Sequence, residues 1–192
     1  MLRIALLASG SGSNAQRLMD HFRGHRLAEV ALVGTDRSKA GVVQRAWDAG
    51  VPVYTFSGAQ LKSGEVQREL TGQRIDLIVL AGFLRLIPGE LVQAFPDRIL
   101  NIHPGLLPRF GGHGMYGIHV HEAVLAAGEK ESGITIHRVN ERYDEGEHLF
   151  QATCPVLPGD TADTLAARVL ALEHEHYPLV VEKQVELFAA AR

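Results

Sequence analysis

Ile4-Ala5-Leu6-Leu7-Ala8 is a continuous apolar run that passes into Ser9-Gly10-Ser11-Gly12-Ser13-Asn14, after which Leu18, Met19 and Phe22 recur at helical spacing. Strand, glycine-rich turn and helix in that order open an α/β domain. Glycines let successive backbone N–H groups converge, and the positive end of the following helix dipole adds to them, so the turn suits an anion such as a phosphate. Ser11, Ser13 and Asn14 add polar contacts. The same residues, as Gly10-x-Gly12-x-x-Ala15 with Asp36 farther along, also fit the loose fingerprint of a dinucleotide site. An NAD-dependent oxidoreductase is therefore a rival reading.

Working outward, strands are expected at 30–34, 51–55 and 76–80, alternating with a helix at 40–49 and a weaker one at 60–70 that Gly64 interrupts. Leu84 to Ile87 hang from the end of the strand at 76–80, and Pro88 sits where a helix can begin. A fifth strand follows at 99–102. Gly105, Gly111, Gly112, Gly114 and Gly117 then predict a mobile surface loop. Beyond it come a helix at 120–127, strands at 133–139 and 149–156 separated by an acidic loop at 140–146, and a last helix capped by Asp160 or Thr161. Pro178 should kink or split that helix.

With 192 residues the chain holds one sizeable α/β core, not two domains and a linker. The formal charge of −3 provides no basic field for nucleic acid. A lone cysteine, Cys154, fits a reducing compartment. The apolar start is too short for a signal peptide, and no run reaches the length of a spanning helix, so a cytoplasmic protein with no membrane partner is expected.

The chemistry concentrates in Ile99-Leu100-Asn101-Ile102-His103-Pro104-Gly105-Leu106-Leu107-Pro108. A period of two sends Asn101 and His103 to one face of the strand, Leu100 and Ile102 to the other. An amide that donates to a developing oxyanion, beside an imidazole that exchanges a proton near neutrality, suits addition to a carbonyl. A second alternating run places Ile134 and Ile136 on one face, Thr135 and His137 on the other. No metal site is expected. His174 and His176 are two apart on a helix and cannot share a metal, and the same objection covers His119 and His121. These four and His113 read as solvated surface histidines.

Asn101-Ile102-His103-Pro104, with Ser9 to Asn14, Ala81-Gly82-Phe83-Leu84-Arg85, Glu173-His174 and Tyr177-Pro178, resembles the folate-dependent formyltransferase family, in particular its branch acting on glycinamide ribonucleotide. The resemblance runs along nearly the whole chain and implies a doubly wound, mostly parallel sheet of Rossmann-like type. It implies formyl transfer from 10-formyltetrahydrofolate to phosphoribosylglycinamide in purine biosynthesis, with small-molecule partners, no metal, and a monomer or homodimer. By motif, residues 1–100 would form the nucleotide-binding half and residues 101–192 the catalytic and folate-binding half. Gly12, Ser13, Asn14 and Glu173 would hold the nucleotide. Leu84, Arg85, Leu86 and Ile87, with Asn140, Glu141, Arg142 and Tyr143, would hold the folate. Asn101, His103 and Asp144 would be the catalytic set, with Asp144 raising the pKa of His103 to keep it protonated. A folate hydrolase or another folate-dependent N-formyltransferase shares this logic. The Arg that many relatives use for the folate tail has no clear match here.

Overall fold

A computed structural model describes residues 1–191. Among the described residues there are seven strands and seven helices: β1 (Leu2–Leu7), α1 (Ser13–His21), β2 (Ala28–Thr35), α2 (Gly41–Asp48), β3 (Val53–Thr55), α3 (Gly58–Lys62), α4 (Glu65–Gly72), β4 (Leu77–Leu80), α5 (Gly89–Ala94), β5 (Ile99–His103), α6 (Ile118–Ala126), β6 (Glu131–Arg138), β7 (His148–Pro155) and α7 (Ala162–Ala190). They form one sheet in the order β3-β2-β1-β4-β5-β6-β7. Strands β1 to β5 pair in parallel; β6 and β7 add antiparallel pairs. The fold is the doubly wound, mostly parallel sheet of a single domain.

Strand alternation supplies two cores. From β1 and β4, Ile4, Leu6, Leu77 and Val79 face the layer of α1, α2 and α7, while Ala5, Leu7, Ile78 and Leu80 face that of α3 to α5. On β5, Leu100 and Ile102 join the first core, but the second core takes only Ile99. The face carrying Asn101 and His103 is therefore left to loops. The order also reverses between β1 and β4, which opens a crevice at the carboxyl ends of the strands.

The interruption expected at Gly64 is a full break: with φ 75° this residue adopts the left-handed conformation between α3 and α4. Pro178 does not split the last helix: α7 runs 29 residues from its Thr161 cap, where the Thr161 and Thr164 hydroxyls each accept from the other's backbone N–H. Proline removes one intrahelical bond, but Val169 and Tyr177 on one side and Val181 and Val185 on the other are fully buried and hold both flanks. Tyr177 also donates from its hydroxyl to the Leu80 carbonyl at 2.9 Å. Among the described residues no helix is long and apolar enough to cross a membrane.

Candidate active site

The turn after β1 is built by steric necessity. Gly12 has φ 76°, and a Cβ there would lie 2.6 Å from Val42 Cβ and 2.7 Å from Val42 Cα, so only glycine allows α2 to pack behind the turn. No side chain caps α1, which leaves its first backbone N–H groups available to an anion. Arg45 closes the turn from outside, donating from Nε to the Ser11 carbonyl at 2.8 Å. Asn14, buried at the same place, donates from Nδ2 to Glu173 on α7 at 2.5 Å, while its Oδ1 has no partner. Burial pushes the Glu173 carboxyl up, offset only in part by the Asn14 amide.

Asn14 and Glu173 mark one end of a cavity of about 570 Å³, and Asn101, His103, His137 and Asp144 also line it. The antiparallel register of β5 and β6 sets Asn101 opposite His137 and His103 opposite Thr135. Asp144 reaches them from the loop after β6, in the left-handed conformation (φ 56°) that Asp tolerates better than most residues. Its Oδ2 lies 3.6 Å from His103 Nδ1 and its Oδ1 3.5 Å from His137 Nε2. The Gly112 N–H donates to Oδ2 at 2.9 Å, so this carboxylate ties the 140–144 loop to the glycine-rich loop.

The protons can be assigned. His103 Nε2 lies 2.8 Å from the Phe110 carbonyl, which only accepts, so Nε2 carries the hydrogen and Nδ1 faces the carboxylate. His137 likewise donates from Nδ1 to the Arg138 carbonyl at 2.9 Å, leaving Nε2 to accept from Asn101 Nδ2 at 3.1 Å. Both imidazoles are spoken for within the protein. At 3% exposure, burial dominates at His103 and lowers its pKa; Asp144 and the Phe110 carbonyl push back without overcoming it. The expectation of a histidine held protonated by its carboxylate is thus corrected: Asp144 acts in the expected direction, but desolvation is larger. At Asp144 burial raises the pKa, yet the neighbouring His137 and His103 imidazoles and the Gly112 N–H outweigh it and hold the group below its usual range.

Most expected site residues converge. Leu84 to Ile87 line the cavity from the end of β4, and Asn140, Arg142 and Tyr143 from the loop after β6. Glu141 does not, because its carboxylate accepts from Gln93 at 2.9 Å on α5. Asp36 is also withheld: its carboxylate bonds Ser9 and Arg85 and is 2% exposed. The glycine-rich loop is anchored where it begins, with the Leu107 N–H donating to Thr135 Oγ1 at 3.0 Å and Gln151 to the Leu107 carbonyl at 3.0 Å. His121 corrects another expectation. It is 4% exposed, lines the cavity, leaves Nδ1 unpaired, and has its pKa lowered by burial and by His103. Among the described residues no group of His, Cys, Asp or Glu is placed to hold a metal ion. Sequence reading assigned no role to His137. Its alternation with Thr135 put it on the right face, but only the β5–β6 register brings it to Asn101.

Over residues 2–181 the chain matches the formyl transferase family. It is 45% identical over 186 residues to the chloroplastic phosphoribosylglycinamide formyltransferase of Arabidopsis thaliana, covering 93% of this chain and 64% of that protein. The chain thus spans less than two thirds of the plant protein's length. Identity to the phosphoribosylglycinamide formyltransferase of Escherichia coli (strain K12) is 34%, covering 94% of this chain and 85% of the relative. The crystal structure of glycinamide ribonucleotide transformylase 1 from Symbiobacterium toebii superposes with a TM-score of 0.88 at 40% identity, covering 100% of this chain and 89% of the other.

Proposed function

Because the chain belongs to the formyl transferase family, we propose that it transfers the formyl group of 10-formyltetrahydrofolate to the glycinamide amine of phosphoribosylglycinamide, a step of purine biosynthesis. The observation that carries this reading is a single cavity lined at one end by Asn14, in the first turn of the uncapped α1, and Glu173, and farther in by Asn101, His103 and Asp144, with Gly12 and Ser13 in the turn just outside its lining. A cavity of about 570 Å³ is within the range of small-molecule sites, and its exposed Leu84 and Leu86 suit a flat aromatic head such as a pterin. The turn at Gly12, Ser13 and Asn14 takes the phosphate, and Glu173 the ribose hydroxyls. The partners are these small molecules, with no nucleic acid. The protein acts in the cytoplasm as a monomer or homodimer.

Each group then has a task. As the amine forms its bond to the formyl carbon, an electron pair moves onto the formyl oxygen. Asn101 Nδ2, which has a second N–H beyond the one given to His137, donates to that oxygen, and so does His103 Nε2 once the Phe110 carbonyl withdraws. The carbonyl therefore stands where the substrate oxygen will be. The carbon–nitrogen bond to the folate breaks as the carbonyl re-forms. The amine loses a proton and the folate nitrogen gains one. Asp144, within 3.6 Å of both imidazoles, favours the imidazolium that this traffic creates.

A hydrolase would use the same three residues but leave the phosphate turn idle. An NAD enzyme would need Asp36 for a ribose, and Asp36 is occupied. The test is release of tetrahydrofolate from 10-formyltetrahydrofolate with and without phosphoribosylglycinamide. Release only with the acceptor is expected; equal release without it would point to the hydrolase.

A further inference from the structure

Asp36 follows the carboxyl end of β2, and both its oxygens are engaged. Oδ1 accepts from Ser9 Oγ at 2.6 Å, and Oδ2 from Arg85 Nε at 2.6 Å. Having given its proton to Asp36, the Ser9 hydroxyl accepts the Leu84 N–H at 3.1 Å, while the Ser9 N–H donates to the Gly82 carbonyl at 3.0 Å. Ser9 is 1% exposed and directly precedes the glycine turn. We propose that Asp36 is a positioning residue that, through Ser9 and Arg85, holds the segment from Gly82 to Ile87 in the shape that receives the folate head. This rests on the function proposed above.

The segment needs such a hold. It leaves β4 at Gly82 (φ 80°), pairs with no strand and enters no helix until α5, and exposes Leu84 and Leu86. A stretch of that kind samples many shapes unless tertiary bonds select one. The Asp36 network supplies two such bonds, at the Leu84 backbone and at the Arg85 side chain. Burial raises the Asp36 pKa, but the bonds from Ser9 and Arg85 outweigh it, so the acceptor is an ionised carboxylate and the bonds are charge-assisted. Gly58, at the start of α3, leaves room for the guanidinium: a Cβ there would lie 2.7 Å from Arg85 Nη1. The same Ser9 carries the backbone into the phosphate turn.

The test uses Asp36→Asn, which keeps the shape and removes the charge, and Ser9→Ala, which cuts the link from the other side. Hydrogen exchange, which needs no substrate, should be severalfold faster over Phe83 to Ile87 in both variants and unchanged in β1 and β5. Steady-state kinetics should then show the KM for 10-formyltetrahydrofolate raised about tenfold, with the KM for phosphoribosylglycinamide and kcat within about twofold of wild type. A general loss of structure would raise exchange everywhere and could not give this split. Unchanged exchange in the segment, or a folate KM that does not move while the wild type turns over normally, overturns the proposal alone. No turnover by the wild type overturns the functional reading on which it rests.

Discussion

The two ends of the cavity are made differently. At the β1–α1 turn the chain builds its site from consecutive residues, Gly12 is fixed by its contact with Val42, and the helix N–H donors have no side-chain partner. At the β5 end the site is gathered from β5, β6 and two loops, and its donors already bond to one another and to backbone carbonyls. A site of the first kind is ready for an anion that brings charge and finds donors free. A site of the second kind works by exchange, with the substrate taking over hydrogen bonds that the protein makes to itself. Asn101, His103 and His137 each keep a hydrogen bond while it is empty, which lowers the cost of holding them in a buried place.

The contrast breaks most readily at Asp144. Asp144→Asn keeps the volume of the carboxylate but can neither support an imidazolium nor take a proton, so turnover should fall by about a hundredfold or more while folate binding is retained. Since the carboxylate raises the pKa of His103 against burial, its removal should move the limb of the pH–rate profile that belongs to His103 to lower pH. Turnover within about threefold of wild type with an unmoved limb would make Asp144 a turn residue only.

At the other end the effect should be on structure first. Gly12→Ala places a Cβ against the Val42 backbone in a left-handed conformation, and the expected loss is about 2 kcal/mol, read as a lower urea midpoint with an unchanged slope. Affinity for phosphoribosylglycinamide should weaken with it, while affinity for the folate should not. Equal weakening of both would erase the distinction between the two ends.

The smallest effect concerns pH and stability. His103 and His121 have folded pKa values below the ordinary 6.5, so below that pH the unfolded chain binds protons that the folded chain refuses. Their stabilising preference is present above about 6.5 and is lost as the pH falls through the lower folded values. Acidification from pH 7 to 5 should therefore lower stability, and His121→Gln should flatten that slope by up to about 1 kcal/mol over the interval, measured by urea unfolding at each pH. An unaltered slope would mean that His121 is not charged at a cost.

Much of this was legible in the chain because it is local. The apolar run and glycines from Ile4 to Asn14 state the first strand, turn and helix within a dozen residues, and the alternation at 99–103 puts Asn101 and His103 on one face. What depends on partners distant in sequence was not. Register brings His137 to Asn101, the packing of α6 buries His121, and a fold back of the glycine-rich loop sets the Phe110 carbonyl on His103. Local logic also misled at Asp36, where fingerprint spacing suggested a ribose but Arg85, 49 residues on, claims the carboxylate. At Pro178, where a kink or a split is expected, tertiary packing on both flanks keeps the helix unsplit. At His103 the sign of the Asp144 effect followed from chemistry, but the size of the desolvation against it depended on burial.

The fate of the formyl carbon tests the central claim most directly. The chain is incubated with 10-formyltetrahydrofolate carrying carbon-13 in the formyl group, together with phosphoribosylglycinamide, and followed by carbon NMR. The expected result is that the label moves to the formamide of the phosphorylated acceptor, that His103→Ala stops the transfer, and that no labelled formate builds up when the acceptor is left out. Label released as formate without the acceptor, or transfer undiminished in His103→Ala, would contradict a formyl transfer carried out by Asn101, His103 and Asp144.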